Sequence, residues 1–150
     1  MKFIKAFIFT TILSFLLFPI SGMASSLEKL PSSEKSNQWE VVIDKPKSNE
    51  HTPKPDVNFY SMDIKYIGDE KVKIERVEAY RDDPNSSFDF EIFTVTPDLE
   101  TEKDVKSVGH QNFPIFTQAT KLKVIVTWTK EGEDSSKYKR NFREEFIFKQ

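Results

Sequence analysis

Cysteine is absent from the chain. That excludes disulfides, thiolate catalysis and zinc held by thiolates, and it removes the residue on which a lipid anchor after an export signal is built. Many small exported domains lean on disulfides; this one must rest on its core, and the missing cysteines point to a bacterial source. Histidine is nearly absent: His51 and His110 are the two. No Gly-x-Ser-x-Gly elbow and no His-Glu-x-x-His occurs, so neither histidine has the sequence company that a nucleophile's base or a catalytic metal site requires. Both read as solvated loop residues. An excess of one charge is missing too. Lys and Arg number 22 against 24 Asp and Glu, a net of −2, and this mildly acidic, mixed surface argues against a nucleic-acid partner.

Long apolar runs are lacking after residue 20, so the one that exists stands out. Met1, Lys2 and Lys5 make a positive start, and residues 6–20 come next with no charge and only Thr10, Thr11 and Ser14 as polar members. Pro19, Ser21 and Gly22 break the run, and Gly22-Met23-Ala24 places small residues before a cut. That order is a secretory signal peptide, expected to be removed after Ala24. The run is short for a membrane span, which needs about 20 apolar residues; only an uncleaved signal would hold the protein at a membrane. Nothing near Lys149-Gln150 resembles a C-terminal anchor. The mature chain, residues 25–150, loses two lysines and is more acidic than the precursor. Its size suits one domain burying roughly two-thirds of its unfolded surface.

Beyond the signal the chain is patterned by alternation. Residues 25–38 are rich in Ser, Glu and Lys with little to bury, and read as a flexible polar leader. Trp39, Val41 and Ile43 alternate with Glu40, Val42 and Asp44, predicting a first strand and opening a sandwich domain over 39–150. A connection with Pro46, Pro53 and Pro55 comes next, since proline cannot donate to a ladder. Over 57–67, Tyr60, Met62, Ile64 and Tyr66 share one face. Over 71–81 the apolar parity switches from Val72 and Ile74 to Val77 and Ala79, predicting a β-bulge near Glu75-Arg76. Asp82-Asp83-Pro84-Asn85-Ser86-Ser87 is a turn. A strand is expected over 88–96, a long polar loop over 97–112 containing His110, and a brief strand over 113–116 despite Pro114. Residues 121–130 carry the cleanest pattern, with Leu122, Val124, Val126 and Trp128 on one side. Residues 138–149 return as the second arm of a central antiparallel hairpin, with Phe142, Phe146 and Phe148 on one face and Glu144 awkwardly among them.

About seven short strands between turn signals indicate an all-β, antiparallel sandwich. The stretch 122–128 with the closing Phe146-Ile147-Phe148 resembles the small immunoglobulin-like or fibronectin-like sandwiches exported by bacteria. The resemblance implies a fold and transfers no residue's role; the inter-sheet disulfide of antibody domains has no counterpart here.

Three sets of residues are candidates for chemistry. Asp63 and Glu91 are carboxylates on solvent faces, the minimum a glycosidase needs, although keeping those faces soluble accounts for them. Asp82, Asp83 and Asn85 offer oxygens that calcium prefers, but without EF-hand spacing, and turn chemistry explains them. Trp39, Phe59 and Tyr60 near the proline-rich connection are candidates for a stacking platform for sugar or peptide, although core packing accounts for most aromatics; Phe59 beside Val57, facing opposite to Tyr60, is the one expected in an exposed patch. The expectation is a secreted, non-enzymatic binding module without cofactor, whose partner is an extracellular protein or wall polymer and whose open strand edges can accept an added strand. A small hydrolase with paired carboxylates and a purely structural envelope protein are the alternatives.

Overall fold

Nine strands in two sheets, and no helix, make up the described part of the chain. The computed structural model describes residues 25–48, 54–97, 107–130 and 140–150; the expected export signal and His51 lie outside them. In chain order the strands are β1 (Ser25–Ser26), β2 (Ser32–Lys35), β3 (Trp39–Asp44), β4 (Val57–Tyr66), β5 (Val72–Arg81), β6 (Phe90–Val95), β7 (Ser107–Phe116), β8 (Lys121–Lys130) and β9 (Phe142–Lys149). One sheet has the order β1-β9-β8-β5-β6, the other β2-β3-β4-β7. All pairings are antiparallel except β1 with β9. The expected all-β, two-layer architecture is what the chain forms.

The core lies where the alternation puts it. β8 sends Leu122, Val124, Val126 and Trp128 inward, opposite Phe148, Phe146, Glu144 and Phe142 of β9. β3 and β4 supply Trp39, Val41, Ile43, Tyr60, Met62, Ile64 and Tyr66 from the facing sheet. Trp39 meets Trp128 edge-on across the layers at 5.4 Å, and Trp128 stacks on Phe142 at 5.8 Å. Phe93 of β6 reaches Phe113 of β7 at 5.2 Å. Such offset and edge-on pairs add to the area that the rings bury.

The parity switch in β5 is the bulge it implies: pairing with β8 shifts register between Ile74 and Arg76, which leaves Glu75 unmatched and returns Val77 and Ala79 to the core side. Glu144 keeps its inner register position but is half-buried. Among the described residues β1 pairs with β9 only at Phe148 and Lys149 and no strand pairs with β9 on that side at Glu144, one of whose carboxylate oxygens is buried without a hydrogen-bond partner among them.

Three expectations are corrected. Residues 25–38 are not a loose leader ahead of a domain that starts at 39. They carry β1 and β2, and Leu27 is buried in the core. Backbone pairing, which needs no apolar side chain, holds this polar stretch. The polar loop expected over 97–112 gives way at Ser107 to β7, and His110 stands within that strand rather than in a loop. As an edge strand, β7 tolerates Pro114. Trp39, proposed for an exposed platform, is fully buried.

Candidate functional site

The large exposed apolar side chains gather mostly at one end of the sandwich. β5 ends at Arg81, β6 begins at Phe90 directly opposite it, and β7 ends at Phe116, paired with Val57 of β4. Phe88 is 74% exposed, Phe90 42% and Phe116 43%. The Arg81 guanidinium lies over both rings, 5.1 Å from the Phe90 centroid and 4.5 Å from that of Phe116, an arrangement in which the ring quadrupoles attract the cation. One guanidinium nitrogen donates to the Asp82 carbonyl at 3.2 Å. Arg81 forms no ion pair among the described residues. Beside it a pocket of about 240 Å³ is lined by Asp56, Arg81, Asp83, Pro84, Phe116 and Gln118.

Short-range chemistry holds this end in shape. The Asp82 carboxylate accepts the backbone N–H of Thr120 at 2.7 Å and of Lys121 at 3.0 Å, and also the Thr120 hydroxyl. It therefore ties the β5–β6 loop to the β7–β8 turn. Its partial burial favours the protonated form, but the hydrogen bonds from Thr120 and Lys121 and the charge of Lys121 outweigh that and hold the carboxyl below its usual range. Asp83 accepts the N–H of Asn85 at 2.9 Å, an Asx turn. Thr117 N–H donates to the Asp56 carbonyl at 3.0 Å, and Gln150 donates to the Phe116 carbonyl at 3.1 Å. Asp89, next to Phe88, accepts from Lys123 and pairs with Lys121 at 3.3 Å; the Lys123 hydrogen bond is the main reason its carboxyl is lowered.

The candidate residues of the sequence are scattered over the fold. Val57 belongs to this end through its pairing with Phe116. Phe59 is half-buried opposite Pro114, one step further along the same ladder. Trp39 lies in the core. Asp82, Asp83 and Asn85 form the turn just described, with both Asp82 oxygens already accepting hydrogen bonds. Among the described residues no group of three or more His, Asp and Glu is placed to hold a metal ion. Asp63 and Glu91 are not brought together: Asp63 stands on β4 of one sheet, paired with Lys47, and Glu91 on β6 of the other, accepting from Thr94 at 2.8 Å. His110 stacks on Phe93 at 4.3 Å and its Nδ1 accepts the Asn112 N–H at 3.3 Å. Burial pushes its pKa down. In the sequence Arg81 and Phe116 read as mere strand ends and Phe90 as one member of the strand expected over 88–96. The cue was there in the turn at 82–87, because loops at one end of a sandwich gather residues distant in the chain.

Comparison with known proteins places the chain among exported ones. A family profile described as "YozF-like secreted protein" matches residues 23–150. A protein of Bacillus subtilis (strain 168), named "Uncharacterized protein YozF", is 27% identical over 129 residues, covering 76% of this chain and 78% of that relative. No solved structure matches.

Proposed function

We propose that this chain, which belongs to the YozF-like secreted protein family, is a non-enzymatic binding module whose contact surface is the sandwich end built by Arg81, Phe90 and Phe116. The observation that carries this reading is Arg81 itself. A half-buried guanidinium stacked on two rings, without a carboxylate partner among the described residues, keeps donors for an incoming carboxylate or phosphate. The exposed faces of Phe88, Phe90 and Phe116 supply apolar contact around it. The partner is an extracellular protein or a wall polymer that bears such anionic groups. Two further parts of the reading have support. Residues 1–24 act as an export signal cut after Ala24, in keeping with a family match that begins at residue 23. The sandwich is immunoglobulin-like: from β3 onward, three strands (β3-β4-β7) face four (β6-β5-β8-β9), an order that such sandwiches use.

The test is a binding assay of the secreted form against isolated wall polymers and extracellular proteins. Arg81→Lys, which keeps the charge but loses the planar fork, and Phe116→Ala are expected to weaken binding at least tenfold while each melts within a few degrees of the unmodified protein. Unchanged binding by both variants overturns the assignment of this surface.

A further inference from the structure

We propose that the cut after Ala24 does more than release the protein: it creates the charge that locks the first strand onto the fold. The inference rests on the processing reading above. The observation behind it is that the backbone nitrogen of Ser25 donates to the Glu34 carboxylate, a close contact of β1 on β2. Around it the segment grips both sheets. The Ser25 hydroxyl donates to the Ser33 carbonyl at 2.8 Å, Ser25 and Ser26 pair with Phe148 and Lys149, and Leu27 N–H donates to the Lys149 carbonyl at 2.6 Å while its side chain is buried. β9 belongs to one sheet and β2 to the other, so residues 25–35 clasp the open side between them.

In the uncut chain the Ser25 nitrogen is an amide with one proton. A signal peptidase hydrolyses the Ala24–Ser25 bond with water: hydroxyl goes to the Ala24 carbonyl carbon, hydrogen to the Ser25 nitrogen, and a further proton from solvent makes that nitrogen an ammonium. The bond to Glu34, already assisted by the carboxylate's charge, thereby gains a cationic donor, and the attraction between opposite charges is added to it. The clasp is tightest only after export, when the protein is already outside.

The test compares residues 25–150, which contain every described strand, with a free Ser25 amine and with the same chain acetylated there, each with Glu34 and with Glu34→Gln. Acetylation keeps the N–H and removes the charge. The free-amine form is expected to melt roughly 2–5 °C above the acetylated one, and Glu34→Gln to abolish that gap. Equal melting of the two Glu34 forms, or a gap that survives Glu34→Gln, overturns the lock. N-terminal sequencing of protein from the culture medium reports separately on the cut. A start other than Ser25 overturns the processing reading, whereas a Ser25 start without the melting gap overturns the lock alone.

Discussion

Trp128, Phe59 and His110 show how differently single side chains weigh here. Trp128 touches Trp39 across the layers and Phe142 beside it, and is 4% exposed. Truncating a buried aromatic of this kind costs about 3–5 kcal/mol, against a total of about 5–15 kcal/mol for a domain. Trp128→Ala is expected to unfold or nearly unfold the protein in a thermal melt, and any loss of binding by that variant follows from unfolding. Phe59→Ala, half-buried on an outward position, is expected to melt close to wild type. The opposite pattern in the two melts would invert the assignment of faces on β4 and β8. His110 tests the acid side. Its folded pKa is lowered by burial, so the unfolded chain takes up the proton first. The stability it contributes is complete above the unfolded value of about 6.5 and declines as pH falls below that. His110→Phe, keeping a ring against Phe93, is expected to flatten the decline in melting temperature between neutral and mildly acid pH. An unchanged slope would assign the acid sensitivity to other groups. Asp83 tests the turn. Its oxygen serves the Asn85 N–H, so millimolar calcium is expected to leave the melting temperature unmoved; a rise abolished by Asp83→Ala would overturn that account.

At the scale of elements, strands that bury a face on the core were legible and strands held by their backbone were not. β8 and β4 announce themselves by alternation, and the switch of parity around Glu75 implied a bulge that register pairing with β8 then displays. β1 and β2 left no such trace, because Ser25, Ser26, Ser33 and Lys35 pair through N–H and C=O while only Leu27 and Ser32 turn fully inward. β7 was half legible. Its second half carries Phe113 and Ile115, but in its first half the inner positions hold only Val108 and His110, which read as loop. The candidate site was the least legible, since Arg81, Phe90 and Phe116 end or begin three strands, and Phe116 joins the Arg81–Phe90 pair only when the sheets are stacked. A prediction belongs at this scale. If residues 25–35 are structural, Leu27→Ala costs about 2–4 kcal/mol in denaturant unfolding, whereas a loose leader would leave the midpoint unchanged.

For the molecule as a whole, membership of a secreted family and the absence of cysteine impose one requirement together: stability outside the cell without covalent staples. The aromatic contacts between the layers and the N-terminal clasp meet it. The parallel pairing of β1 with β9 has a mechanical side as well. Ser25 lies beside Phe148 and Ser26 beside Lys149, so a force applied between Ser25 and Gln150 slides the strands past one another along their length. The ladder bonds and the Leu27–Lys149 bond are then loaded together rather than broken one after another, as they would be if the strands were peeled apart. A short, polar strand of little thermodynamic promise is thus placed where tension between the termini meets its strongest geometry.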